Sequence, residues 1–165
     1  MAGNIHRYLA DDHRRLDNLL DRAMADPENI DTATYGQFRV GLLTHIGMEE
    51  KVLLPAARKQ RGGEPLPVAA KLRLDHGALT ALLVPSPTAK VVAAIQTILK
   101  LHNPLEEDPG GMYDQCEEAV AAQPDEILNQ LQNFHEVRVL PHVNSPFAIE
   151  AARRALVRAG YDLEV

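Results

Sequence analysis

The chain has 165 residues, of which 45% are hydrophobic and 24% charged; this is typical of one soluble globular domain and excludes a disordered chain. The net charge of -6 and the 4% aromatic content exclude nucleic acid as an expected partner, because they offer neither a phosphate-binding field nor a stacking surface. No apolar run reaches the ~20 residues of a membrane span. The N-terminus becomes charged too early for a signal peptide, and the single Cys116 cannot form an internal disulfide. We therefore expect a cytoplasmic protein with no membrane partner.

Eleven prolines divide the chain into segments with apolar residues at every third or fourth position, which predicts an all-α protein. Four long helices are expected near residues 4–25, 32–59 (kinked at Pro55), 67–84 and 88–107. Shorter helices are expected at 112–122, 124–140 and 146–159, the last with Ser145 as N-cap and Gly160 after its end. Short loops predict an antiparallel up-down-up-down four-helix bundle over residues 1–122. The C-terminal helices, in residues 123–165, are expected to pack on its outside within a single domain.

Each of the four long helices places one histidine in the middle of its apolar stripe, and on two of them a carboxylate follows one turn later on the same face. These inward-facing residues are His13, His45, Glu49, His76, His102 and Glu106. An ionised carboxylate in a bundle core costs several kcal/mol unless it is paired or bound to a cation. Neither carboxylate has a Lys or Arg on its own stripe, so the pattern predicts a metal site.

The two halves of the bundle repeat the same motif. The segment beginning Asp12-His13 aligns with the one beginning Asp75-His76, with a Leu three residues after each histidine and Leu-Leu at the end. The pattern H-x3-E-E then occurs at 45–50 and again at 102–107. The duplication predicts one metal ion per half. Helix lengths place the first three histidines at one depth, whereas His76 and His102 differ by about 7 Å unless the loop between them is longer than Pro85–Pro87.

Across residues 5–115 these motifs resemble the hemerythrin family, in its branch named for His-His-Glu cation binding. The resemblance implies an antiparallel four-helix bundle around two non-haem iron ions, joined by carboxylates and by an oxo or hydroxo bridge. It implies that His13 and His45 bind one iron, that His76 and His102 bind the other, and that Glu49 and Glu106 bridge them.

Two positions depart from the family pattern. Oxygen-carrying hemerythrins have a second histidine one turn after the histidine of the third helix, and here that position is Thr80. One iron is therefore expected to lack a nitrogen ligand. Pro104 lies between His102 and Glu106 and is expected to disturb the helix, so Glu107 is an alternative ligand; Glu106 is preferred because it falls on the apolar stripe.

The remaining polar candidates are assigned weaker roles. His135 lies at the edge of the apolar face of the helix expected at 124–140 and is a minor candidate for a metal ligand. The residues expected at the surface, in loops or outside the ligand set are His6, Asp12, Asp17, Glu50, Asp75 and His142, with Glu50 interpreted as solvated.

Two functions are consistent with these residues. The first is a di-iron protein that binds or reacts with O2, NO or peroxide at a vacant iron position. The second is a regulatory or interaction module whose fold depends on metal occupancy and so reports iron or oxygen levels to a protein partner that the sequence does not identify. A ferritin-like oxidase fits poorly, because that class uses Glu-x-x-His, whereas here the histidine precedes the carboxylate by four residues.

Overall fold

The computed structural model describes residues 3–165, and the regular elements of that part of the chain are helical. They are α1 (Asn4–Ala23), α2 (Thr32–Met48), a π-helical turn (Glu49–Leu53), α3 (Leu54–Gln60), α4 (Ala69–Leu82), α5 (Ala89–Glu107), α6 (Met112–Ala119), α7 (Pro124–Gln132) and α8 (Pro146–Ala159). The all-α prediction is confirmed. α1 packs on α2, α4 on α5, and α1 on α5, which gives the bundle.

Local signals in the sequence set most of the helix ends. The Asp31 side chain accepts hydrogen bonds from the Ala33 and Thr34 amides at the start of α2, and Thr88 caps α5 in the same way. Ser145 caps α8 as predicted, and Gly160 ends it in the left-handed region at φ 89°.

Near Pro55, where the sequence predicts a kink, the helix contains a π-helical turn. Proline lacks an amide hydrogen, and its ring clashes with the carbonyl four residues earlier, so a regular α-helix cannot continue into Pro55 undisturbed. The helix adopts the π-helical turn Glu49–Leu53 immediately before it and continues as α3.

The prediction of a helix over residues 124–140 is wrong for the second half of that range. α7 ends at Gln132, and residues 133–145 form a non-helical segment, the C-terminal strap, which runs along α2. The Val137 amide donates to Thr44 Oγ1 at 3.0 Å, Arg39 Nη1 donates to the Leu140 carbonyl at 2.7 Å, and the Val143 amide donates to the Val84 carbonyl at 3.0 Å. The strap contains Val137, Val139 and Pro141, residues that disfavour a helix in this context.

The hydrophobic core consists of two clusters at opposite ends of the bundle. One joins the C-terminal half of α1, the N-terminal half of α2, the C-terminal half of α4, the N-terminal half of α5, and α8. The other joins the start of α1, the π-helical turn, α3, the start of α4, α6 and α7. The four stripe histidines lie between the two clusters in sequence, so the bundle holds a polar layer with apolar packing on both sides. Within residues 3–165, no helix has the length and apolar character needed to cross a membrane.

Candidate metal centre

The six residues predicted to face inward meet in this polar layer, and each is at most 4% exposed. Two groups have ligand atoms that all lie within 4.8 Å of one another: His13, His45, Glu49 and Glu106 form one, and His76, His102 and Glu106 form the other. The ring centroids of His13 and His45 are 4.4 Å apart, and those of His76 and His102 are 4.9 Å apart. The two histidine pairs are those expected from the sequence.

Each buried carboxylate contacts both histidine pairs. Glu49 Oε1 lies 3.2 Å from His45 Nε2, and Glu49 Oε2 lies 3.2 Å from His76 Nε2. Glu106 Oε2 lies 3.4 Å from His13 Nε2, and Glu106 Oε1 lies 3.1 Å from His102 Nε2. Both carboxylates therefore present one oxygen to each pair, which is the arrangement required of a ligand shared by two ions.

The other ring nitrogen, Nδ1, of each of these four histidines contacts a further carboxylate, referred to below as an outer carboxylate. The Nδ1 distances are 2.5 Å for His13 to Glu107, 2.8 Å for His45 to Asp12, 2.9 Å for His76 to Glu50 and 3.2 Å for His102 to Asp75. Such contacts fix the ring orientation and keep the proton on Nδ1, which leaves Nε2 free to bind a metal ion. All four Nε2 atoms are consequently directed at Glu49 and Glu106.

Each of these outer carboxylates also has a basic neighbour. The pairs are Asp12 with Arg15 (2.7 Å), Glu50 with Arg73 (3.2 Å), Asp75 with Lys71 (2.6 Å) and Glu107 with Arg14 (3.9 Å). Within residues 3–165, Glu49 and Glu106 have no such Lys or Arg partner, and histidine supplies their ionic contacts. The negative charge left in the centre of the layer is therefore that of Glu49 and Glu106.

Electrostatics in the absence of metal favours protonated histidines. Burial alone would lower the pKa of His45, but the charge of Glu49 and the hydrogen bond to Asp12 outweigh burial and raise the pKa to about 10. The same competition raises the pKa of His102 to about 9 and that of His76 to about 12. Burial would raise the pKa of Glu49, yet its contacts with His45 and His76 hold that pKa well below the ordinary value. Metal ions would take over the charge balance and displace these protons.

Three atoms facing the second histidine pair have no hydrogen-bond partner in the described part of the chain: Glu49 Oε2, His76 Nε2 and Glu106 Oε1. Glu49 Oε2 and His76 Nε2 approach to 3.2 Å without the alignment of a hydrogen bond. Buried polar atoms are rarely left unpaired, so these three need a partner that the protein itself does not supply. Nitrogen and oxygen donors around one point suit a divalent or trivalent transition metal, and the residues present fit such an ion.

Comparison with known proteins agrees with this geometry. The family model described as the hemerythrin HHE cation binding domain matches residues 4–108. The chain belongs to this family. Searches of curated proteins and of solved structures found no match. The hemerythrin match ends at the C-terminus of α5, so α6, α7, the C-terminal strap and α8 lie outside it.

Glu106 and Glu107 occupy different positions in this hemerythrin-family bundle. Glu106 is fully buried among the histidines, whereas Glu107 binds His13 from the outer side. α5 remains continuous through Pro104, which is exposed, so water can satisfy the carbonyl that loses its donor.

Glu50 is not the solvated residue expected from the sequence, because its carboxylate accepts from His76 Nδ1 and from Arg73. His135 is exposed on the C-terminal strap and takes no part in either group of candidate ligands. His6 contacts Asp114 at 2.7 Å, and His142 Nδ1 lies 3.3 Å from the Val84 carbonyl. Thr80 is exposed, so α4 offers no second ligand one turn after His76.

Sequence reasoning missed Tyr113, which is fully buried on α6. Its hydroxyl donates to Glu49 Oε1 at 2.7 Å and lies 3.1 Å from the Nε2 atoms of both His13 and His45. Burial, together with the charges of Glu106 and Glu49, raises the pKa of Tyr113 well above its ordinary value. The stripe of Met112, Tyr113 and Cys116 on this short helix was the available signal, since a buried tyrosine needs a partner for its hydroxyl.

A surface cavity of about 560 Å³ lies between α1 and α5. Its lining includes His13 and Glu107 together with Arg14, Asp17 and Lys100. The cavity therefore borders the outer side of the first histidine pair.

Proposed function

We propose that this hemerythrin-family protein binds two iron ions and reacts with a small ligand: O2, NO or peroxide. The observation that carries the proposal is the pair of buried carboxylates, each with one oxygen directed at either histidine pair. His13 and His45 would hold one ion and His76 and His102 the other, with Glu49 and Glu106 shared between them. Bound iron would supply the redox chemistry and the position at which the ligand binds.

The protein residues contribute orientation and exclusion of water. The outer carboxylates hold the four Nε2 atoms inward, and the hydrophobic clusters at both ends of the layer keep bulk solvent away. In this dry environment the two shared carboxylates interact strongly with any positive charge between them. The six inward-facing residues are at most 4% exposed, which favours a diatomic molecule or peroxide over a large organic substrate.

The small ligand is expected at the His76–His102 end. Two of the unpartnered atoms, His76 Nε2 and Glu106 Oε1, belong to the second candidate group, and the third, Glu49 Oε2, faces the same end. Thr80 contributes no donor there. With one nitrogen ligand fewer than an oxygen carrier, this ion should favour the ferric state and react with oxygen irreversibly.

The experiment is expression with iron, elemental analysis, and then mixing of the reduced protein with each ligand while absorbance is followed. We expect two iron ions per chain and irreversible oxidation by O2. Stoichiometric zinc, or no metal after such expression, would contradict the di-iron site. Oxygen binding that reverses on degassing would contradict the assigned reactivity while leaving the di-iron site intact.

A metal-sensing role is the second candidate function. It is favoured by the three buried atoms without partners, Glu49 Oε2, His76 Nε2 and Glu106 Oε1. Metal binding would satisfy all three and stabilise the fold. The discriminating measurement compares melting temperature and protease resistance with and without iron. Large stabilisation by iron, combined with inertness towards O2, NO and peroxide, would favour sensing over reaction.

A further inference from the structure

Tyr113 lies in the polar layer although α6 is outside the four helices that carry the histidines. Its hydroxyl oxygen is close to the four ligand atoms of the first candidate group: His13 Nε2 and His45 Nε2 at 3.1 Å, Glu49 Oε1 at 2.7 Å and Glu106 Oε2 at 3.3 Å. The hydroxyl can donate its one proton to Glu49 and accept from the N–H groups of the two histidines, so the contact with Glu106 has no hydrogen bond of its own. The Glu106 contact, and the meeting of all four candidate ligand atoms at one oxygen, need a further explanation.

The spacing of these atoms is that of neighbouring ligands around one ion. Metal–nitrogen and metal–oxygen bonds are about 2 Å long, so adjacent donors in an octahedral shell lie about 3 Å apart. The Tyr113 oxygen is at that spacing from all four donors. Among the donors themselves, the distances are 3.2 Å for His45 to Glu49 and 3.4 Å for His13 to Glu106.

We propose that Tyr113 is a metal ligand, with its phenol oxygen bound to the ion held by His13 and His45. The inference rests on the proposed di-iron site. Binding releases the phenol proton, as it does for other protein ligands that bind in their deprotonated form. The resulting phenolate is a hard oxygen donor that adds one negative charge to those of Glu49 and Glu106, and it stabilises ferric over ferrous iron at this position.

The two metal positions are consequently unequal. In the described residues Tyr113 reaches Glu106, which both groups share, but no tyrosine hydroxyl bonds to His76 or His102, and His76 Nε2 and Glu106 Oε1 lack partners on that side. Tyr113 fills the coordination of the first ion and leaves the open position on the second. The duplication in the sequence thus ends in an asymmetric centre, because α6 follows only the second half and reaches only one pair of histidines.

The test is the visible spectrum of the ferric protein, because a phenolate bound to ferric iron gives a ligand-to-metal charge-transfer band. We expect this band in the wild type, with tyrosine ring vibrations enhanced in resonance Raman spectra excited within it. Tyr113→Phe should keep its iron and lose the band completely. Tyr35→Phe is the matched control, since Tyr35 is also fully buried but lies in the hydrophobic cluster away from the candidate ligands; it should keep the band.

A second measurement covers the case in which Tyr113→Phe does not fold. Wild-type protein grown with ring-deuterated tyrosine should show a shift of the enhanced vibrations, and this requires no substitution. Two bound irons without the band, or a band that persists in Tyr113→Phe, would overturn the tyrosine ligand and leave the di-iron proposal standing. Wild-type protein that binds no iron would overturn both.

Discussion

Replacing Glu49 with alanine should destabilise the protein and release iron, because this carboxylate contacts three buried polar groups at once. It accepts from Tyr113 Oη at 2.7 Å and lies 3.2 Å from the Nε2 atoms of His45 and His76. Glu49→Ala leaves these groups buried without their common negative partner. Removing one member of a buried ion pair costs about 3–5 kcal/mol.

That loss translates into a large thermal shift. For a chain of this size, 1 kcal/mol changes the melting temperature by roughly 2–4 °C, so metal-free Glu49→Ala should melt about 6–20 °C below the metal-free wild type. The iron-loaded variant should retain less than half of the wild-type iron, since both ions lose one ligand. Differential scanning calorimetry and elemental analysis measure the two effects.

Glu118→Ala is the matched control, because Glu118 is exposed on α6 and its side chain forms no hydrogen bond or ion pair with residues 3–165. It should melt within about 2 °C of the wild type and keep its iron. If Glu49→Ala behaves like Glu118→Ala in both measurements, the carboxylate is neither an essential charge partner nor a metal ligand, and the interpretation of the polar layer fails.

Three further perturbations test other parts of the structure. The raised pKa values of His45, His76 and His102 stabilise the metal-free fold fully below the ordinary histidine value of 6.5. That stability is lost as pH rises towards the pKa values of about 9 for His102, about 10 for His45 and about 12 for His76. The urea midpoint of the metal-free protein should therefore fall between pH 6.5 and pH 9. A midpoint that rises over this range would contradict the assignment. Asp12→Asn should weaken iron affinity roughly 10–100-fold in competition with a chelator, because His45 loses its charged acceptor; unchanged affinity would remove Asp12 from the site. Gly160→Ala should cost about 1 kcal/mol in urea unfolding, since φ there is 89°, and an unchanged midpoint would show that α8 ends without strain.

The inward face of each long helix was predictable because 3.6-residue periodicity fixes which side chains share a stripe. His13 falls between Leu9 and Leu16, and His76 between Leu72 and Leu79, so their burial follows from the sequence alone. The predicted mismatch in depth between His76 and His102 does not occur, since their rings lie 4.9 Å apart. α4 ends at Leu82 and α5 begins at Ala89, and this longer connection absorbs the offset.

Contacts between distant residues could not be inferred from local patterns. The C-terminal strap is fixed by Thr44 and Arg39, which are 93 and 101 positions from their partners. Helical spacing in residues 124–140 gave no sign of those bonds. Glu107 is likewise 94 positions from His13, and Tyr113 is 100 from it. Sequence identified these positions as polar or apolar, but only the fold brings Glu107 to Nδ1 and Tyr113 to Nε2 of the same imidazole ring.

Two of the four outer carboxylates cross between the two sequence repeats, and this has a consequence for how the bundle assembles. Glu50, from the first repeat, holds His76 of the second, while Glu107, from the second, holds His13 of the first. Two identical helical hairpins related by a two-fold axis would exchange the same pair of contacts. A separated hairpin would therefore lack the outer carboxylate of one histidine and one of the two shared carboxylates, so we expect neither hairpin to bind metal alone. The bundle should unfold in a single calorimetric transition, and mixing the two hairpins as separate peptides should restore metal binding only when both are present.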